Sequence, residues 1–441
     1  LFAIGAAAAH AQYAPGLSPL EMSKAWSVSA ELRGFYDDNY LTLPHGLAQH
    51  SWGTEIAPSA SVNHSVQDTL MSASYVYDAR WYEEHSTLDQ SHQFNGRFEH
   101  EFSERYKLSL NESFVVAQEP NVIDSTIVAT PLRVEGNNVR NTGQLDFTAE
   151  LTKLLDLHIG YANTVYAYQQ HEGDVPGFDT TVPTSANPYG WLGGAGAFVP
   201  SRSAALDRME QLATVDLRWK ATPDTTGVFG YQYEHVDYTS PELIIYPSPA
   251  APTGYASDIR NEDDHFAFVG ADHSFTPDLN ASIRVGGEYV DYYNIHTSRL
   301  SPYVDANLTW QYTSLSSAQV GVKHIHNSTD VTGATSPVLD TDATAVYASV
   351  THKLTDQFSV NAMGQAQYST FVGGDSLGQG GVVGSINGRG EDFYVLGINL
   401  AYHFNPWFMT EAGYNYSKLN SDLTDRSYTR NMVYVGIRAS Y

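Results

Sequence analysis

The sequence contains no cysteine. That excludes disulfides, iron–sulfur clusters and thiolate zinc sites. Basic residues are scarce: 23 Lys and Arg stand against 49 Asp and Glu, a formal net charge of −26. Such an excess opposes binding to nucleic-acid phosphates and docking on anionic lipid by charge alone. Long apolar runs are missing too. Nothing after the first residues approaches the roughly 18 consecutive apolar residues of a transmembrane helix, and a hydrophobic content of 42% excludes a helical membrane protein. No Ser-His-Asp or Asp-His set stands at a spacing that would make a catalytic site, so no enzyme is expected.

What the chain has in quantity is tyrosine: 30 Tyr against 18 Phe and 7 Trp. Tyrosine suits a boundary where an apolar ring meets water at one end. At the start, Leu1 to Ala9 is a short apolar run, and Ala9-His10-Ala11 reads as an A-x-A site with cleavage before Gln12. This pattern predicts a signal-peptide remnant over residues 1–11 and a single domain over 12–441.

No motif recurs strictly, but a layout does. About a dozen alternating residues lead to a very short turn, then another alternating dozen, then a longer loop. Between Leu300 and Tyr312, Leu300, Pro302, Val304, Ala306, Leu308, Trp310 and Tyr312 fall on one side, and Ser301, Tyr303, Asp305, Asn307, Thr309 and Gln311 on the other. A period of two is a strand with one apolar and one polar face. The segments from Phe358, from Tyr394 and around Leu145 to Leu151 repeat it. Strands this long exceed the roughly 5–6 residues usual in soluble sheets. A dry core would not tolerate a face charged along its whole length. Lipid outside and water inside would suit both faces, and closure would leave no backbone group unpaired in hydrocarbon.

The pattern therefore predicts an all-β transmembrane antiparallel up-and-down barrel of about 18 strands, within 16 to 20. Short periplasmic turns are expected at Val66 to Asp68, Ser103 to Arg105, Lys153 to Asp156, Thr222 to Asp224, Thr276 to Asp278, Thr313 to Ser316, Leu354 to Asp356 and Asn405-Pro406. An aromatic precedes several of them (Phe102, Trp219, Phe275, Tyr312 and Phe404), as an interfacial girdle requires. Long external loops are expected from about Glu119 to Thr142, Gln170 to Leu206, Ser240 to Asp263 and Phe371 to Gly390. The last segment alternates Val433, Val435, Ile437, Ala439 and Tyr441 with Tyr434, Gly436, Arg438 and Ser440. An aromatic C-terminus such as Tyr441 resembles the signal that outer-membrane barrels present to their insertion machinery.

Phe35-Tyr36-Asp37-Asp38-Asn39, the stretch His92 to Glu119 and the run Arg430 to Gly436 resemble the putative β-barrel porin 2 family. The resemblance implies a bacterial outer-membrane barrel and brings no catalytic residues. Some members of that family resemble proteins tied to exopolysaccharide export.

With the apolar face outside, the lumen receives Glu31, Arg33, Glu55, Asp78, Arg80, Arg97, Glu99, Lys107, Asp146, Glu150, Asp216, Arg218, Glu234, Arg284, Glu288, Asp305, Lys323, Glu411 and Arg438. Signs there are nearly balanced, which places most of the negative excess in the loops. The expectation is a porin-like channel for passive diffusion of small hydrophilic solutes or ions, weakly favouring cations, because barrels of 16–18 strands leave an aqueous channel unless filled. The alternative is a structural or interaction barrel, or the outer-membrane component of polysaccharide export. Tyr189, Trp191, Leu192 and Phe198 could form a constriction loop, since an external loop must hide such side chains.

Expected partners are outer-membrane lipid, lipopolysaccharide, the insertion machinery through Tyr441, and further copies of the chain; nucleic acid is not expected. No cofactor is expected beyond loop-bound calcium or magnesium at acid clusters such as Asn261-Glu262-Asp263-Asp264. His324 and His326 share one side of a strand, but two imidazoles alone do not specify a metal site, and none is assigned. Glu112 falls on the apolar side between Leu110 and Phe114, which predicts a bulge or an interfacial position.

Overall fold

The computed structural model describes residues 24–84, 88–118, 137–174, 200–245, 253–377, 383–423 and 426–441. The signal-peptide reading and the loop carrying Tyr189, Trp191, Leu192 and Phe198 lie outside the described residues. Eighteen strands form one sheet. In chain order they are β1 Trp26–Asp37, β2 Ser51–Val66, β3 Thr69–Tyr82, β4 Leu88–Ser103, β5 Tyr106–Ala117, β6 Asn138–Thr152, β7 Leu155–Tyr168, β8 Arg208–Thr222 and β9 Thr225–Tyr238. There follow β10 Glu262–Thr276, β11 Leu279–Tyr292, β12 Thr297–Thr313, β13 Ser316–Asn327, β14 Val338–Lys353, β15 Phe358–Gly373, β16 Gly390–Asn405, β17 Phe408–Ser421 and β18 Tyr428–Ser440. Each pairs antiparallel with its chain neighbour. The sheet closes where β18 returns to β1, from Ser29 opposite Ser440 to Asp37 opposite Met432.

The turns expected to be short are short. Val66 pairs with Thr69, Ser103 with Tyr106, Thr222 with Thr225 and Thr313 with Ser316, leaving two residues between strands. Gln67 takes the left-handed conformation (φ 48°) that such a tight hairpin needs at its first position. Twelve residues at ~3.3 Å each, tilted ~40°, span about 30 Å, enough for the ~25 Å apolar band.

Side-chain alternation is strict on β1. Trp26, Val28, Ala30 and Leu32 face out, while Ser27, Ser29, Glu31 and Arg33 are buried inside. Phe102, Trp219, Phe275 and Phe404 stand exposed at the short-turn end, with Trp26 beside Tyr441 at a ring separation of 5.2 Å. They make the girdle that amphipathic and aromatic rings prefer at a membrane boundary. The expected bulge at Glu112 is not formed. The ladder runs unbroken from Gly96 through Glu112 to Gly143. Six residues from the turn, at ~3.3 Å each and ~40° tilt, place it about 15 Å up, mid-band. The two neighbouring glycines leave space beside the carboxylate, so the strand has no steric reason to break register.

The end opposite the short turns carries packed loop segments. Its loops carry small apolar cores, such as Val331, Val338, Phe371, Ile386 and Leu423. Another joins Ala204, Ile244 and Ile245. The short helix α1, Arg202–Leu206, is buried throughout and is capped by Ser201, whose side chain accepts from the Ala204 N–H.

Candidate channel wall and mouth

The wall is built from the polar sides of the strands. All sixteen residues named as candidate pore-lining groups project inward: Glu31, Arg33, Asp78, Arg80, Arg97, Glu99, Asp146, Glu150, Asp216, Arg218, Arg284, Glu288, Asp305, Lys323, Glu411 and Arg438. They do not form one set. On β1–β3, β17 and β18 they pack into a buried ion network. Arg33 Nε meets Glu31 and Glu411, its Nη1 lies 3.6 Å from Glu55, and its guanidinium covers the Tyr434 ring at 4.5 Å. Arg80 reaches Glu55 and Asp78, each at 3.2 Å. Arg438 lies 3.6 Å from Glu31 and donates to Ser29 Oγ at 3.0 Å. Buried charges need opposite charges beside them, and interleaving arginines with carboxylates on adjacent strands supplies these.

The opposite wall is wetter toward the short-turn ends of β4 and β8. Arg97 is 51% exposed, Arg218 36% and Lys220 35%. Here the pairs are looser. Lys107 lies 3.0 Å from Glu99, Lys220 2.9 Å from Asp156, and His158 bridges Asp146 at 3.1 Å and Asp216 at 3.5 Å. Lumenal aromatics lie flat over glycines of the next strand, Phe35 over Gly53 and Tyr434 over Gly413. A methyl on Gly413 would come within 2.2 Å of the Tyr434 ring.

The mouth contains an element the sequence pattern did not reveal. The β12–β13 ladder stops at Val304 opposite His324, although β12 continues to Thr297 along β11. Above that point, among the described residues, β13 pairs only with β14. By alternation His326 shares the side of β13 that faces lipid lower down. Yet its ring meets Glu262, Asp264 and Glu288, which lie on the lumenal sides of β10 and β11. The upper part of the β13–β14 hairpin has therefore passed inside the wall, its back against β10–β12. Arg299 of β12 holds it, reaching Asp342 at 2.6 Å and Asp340 at 3.1 Å.

The tip of this internal arm, Ser328 to Thr332, is buried. Asp330 accepts from Arg202 Nη1 at 2.6 Å and from Arg426 Nη1 at 3.1 Å. Arg426 also meets Glu391. Arg260 donates to the carbonyls of Ala205, Thr329 and Val331 at 3.0, 3.1 and 2.7 Å. Three loop arginines thus converge on one segment, and, against the opposing effect of burial, Arg426 and Arg202 hold the Asp330 carboxyl well below the ordinary aspartate range. Asp375, on a hairpin beside the arm, accepts from the backbone of Thr335 at 2.7 Å and Ser336 at 2.9 Å, and these bonds lower its pKa as well. Sequence reasoning missed Arg202, Arg260, Asp330 and Arg426. The available signal was three arginines placed in loops of a chain so poor in basic residues.

Residues 255–441 match the family model described as putative beta-barrel porin 2. No curated protein matches. Similar solved structures include OpdQ of Pseudomonas aeruginosa, at 10% identity and a TM-score of 0.40, covering 96% of this chain and 99% of that one. OccAB4 of Acinetobacter baumannii is similar at 11% identity and a TM-score of 0.41, covering 96% and 100%. OccK2 (OpdF) of Pseudomonas aeruginosa gives 9% identity and a TM-score of 0.42, covering 94% and 98%.

Proposed function

We propose that this chain is a bacterial outer-membrane channel for passive passage of small hydrophilic solutes or ions, with its external mouth narrowed by the internal arm formed by the upper part of the β13–β14 hairpin. The observation that carries the reading is the two-faced closed sheet: lipid-compatible outside, and inside a wall of both charge signs that is water-accessible at Arg97, Arg218 and Lys220 toward the short-turn end. The chain's net charge of −26 gives a weak preference for cations. The outward band contacts lipid and, at its outer rim, lipopolysaccharide. No step of the reading requires catalysis.

A second reading, a plugged or structural barrel, draws support from the buried clasp around Asp330. Single-channel conductance of the refolded protein in planar bilayers separates the two. Steady conductance, with a reversal potential on the cation side in a salt gradient, is the expected result. A correctly folded barrel that stays silent would overturn the channel reading and favour the plugged one.

A further inference from the structure

The arm is pinned to the wall at a second point, and the chemistry there is not that of a salt bridge. Glu262 and Asp264 come from β10, Glu288 from β11, and His326 from the arm. All four are buried, Asp264 and Glu288 completely. Among the described residues, His326 supplies the only ion-pair partner of these three carboxylates. Glu234 of β9 stands directly opposite Asp264 and adds a further acid to the patch. Buried charge of one sign without compensation is costly by several kcal/mol per ion. Both oxygens of Asp264 also lack a hydrogen-bond partner.

Geometry shows what would compensate. His326 Nδ1 meets Glu288, which fixes the ring. Nε2 then points at Glu262 Oε1, 3.2 Å away, and Asp264 Oδ2, 3.4 Å away. Ligand atoms of the three residues all lie within 4.8 Å of one another. In a tetrahedral site with bonds of ~2.0–2.1 Å, ligand atoms stand about 3.3–3.4 Å apart. A ring whose far nitrogen is held by a carboxylate while the near one faces further oxygens is the arrangement that orients metal-binding histidines.

We propose that His326 Nε2, Glu262 and Asp264 bind a divalent transition-metal cation, with Glu288 orienting the imidazole, and that this ion latches the internal arm to the barrel wall. One imidazole with carboxylates favours zinc or manganese over calcium or magnesium, which prefer all-oxygen shells. The site unites two features that sequence alone leaves apart, the acid run at 261–264 and one of the two histidines at 324 and 326. His324 does not take part; its Nδ1 is bonded to Thr344 at 2.7 Å. The inference is independent of whether the barrel conducts.

The test uses the full refolded barrel, stripped with chelator and titrated with Zn²⁺ by calorimetry, with Ca²⁺ and Mg²⁺ as controls. One tight equivalent per barrel is expected for Zn²⁺. Asp264→Asn and His326→Asn should each weaken that equivalent at least ~100-fold, and Glu288→Gln about 10- to 100-fold. Other histidines could bind zinc weakly, so X-ray absorption on the wild-type protein supplies a readout that needs no variant: one imidazole with oxygen ligands. Zn²⁺ should also slow amide exchange over residues 325–340. Absence of a one-equivalent site, its survival in Asp264→Asn, a sulfur-free shell with two or more imidazoles, or tighter binding of Ca²⁺ would each overturn the assignment.

Discussion

Replacing Asp330 by alanine isolates the clasp that holds the internal arm at the mouth. The carboxylate is fully buried and accepts charge-assisted hydrogen bonds from Arg202 and Arg426. Arg426 keeps Glu391 when Asp330 is lost, whereas among the described residues no other ion-pair partner remains to Arg202. Removing one member of a buried ion pair costs about 3–5 kcal/mol, because the other charge is left uncompensated. The cost falls on the closed arrangement of the arm, not on the strand ladder. At 1.4 kcal/mol per tenfold, opening of the arm should become more frequent by about two to three and a half orders of magnitude.

Two measurements read this directly. Amide exchange over residues 328–337 should accelerate in Asp330→Ala while the strand amides stay protected, and bilayer recordings should show larger or more frequent openings. The pH dependence has a definite sign. The folded-state pKa of Asp330 lies below its unfolded value. Its contribution is therefore complete above the ordinary aspartate range and is lost only as pH falls through the depressed folded value. Mild acid, between neutrality and the usual aspartate pKa, should leave the wild-type arm closed. If Asp330→Ala matches the wild type in exchange and conductance, the arm is held by its apolar contacts and the electrostatic reasoning fails.

Arg33→Met takes the arginine from Glu411 and leaves Glu31 and Glu55 to Arg438 and Arg80, and should lower stability by about 3–5 kcal/mol in urea unfolding of the vesicle-inserted barrel. Gly413→Ala forces the Tyr434 ring off its seat and should cost about 1–3 kcal/mol in the same assay. Glu112→Leu removes a lipid-facing carboxylate and should stabilise the barrel by about 1–2 kcal/mol; a loss of stability instead would mean that the carboxylate has a partner in the membrane. Asp375→Ala should loosen residues 334–336, seen as faster exchange there.

The wall was legible because lipid and water impose opposite demands on alternate residues. Leu300 to Tyr312 could be sorted into two faces from the sequence, and the structure keeps that sorting. Turn positions followed for the same reason, since a strand ends where alternation does. The mouth was not legible. Asp330 lies 128 residues from Arg202 and 96 from Arg426, and no period links them. His326 illustrates the limit more sharply. Alternation placed it correctly with His324 on one side of β13, but that side faces lipid low on the strand and the barrel's own inner wall higher up. Periodicity assigns a face; it does not say what the face will meet once two strands leave the wall.

That departure has a consequence for the rim. Where β13 turns inward, β12 from Thr297 to Tyr303 loses its neighbour on one flank and, among the described residues, becomes a free sheet edge. Free edges invite strand addition by another chain. Pro302 stands in the middle of this one, with Leu300 77% exposed beside it. A proline offers no backbone donor and interrupts any incoming ladder. The notch can therefore border lipid or headgroups without serving as a template, and two barrels meeting there would not zip into a continuous sheet.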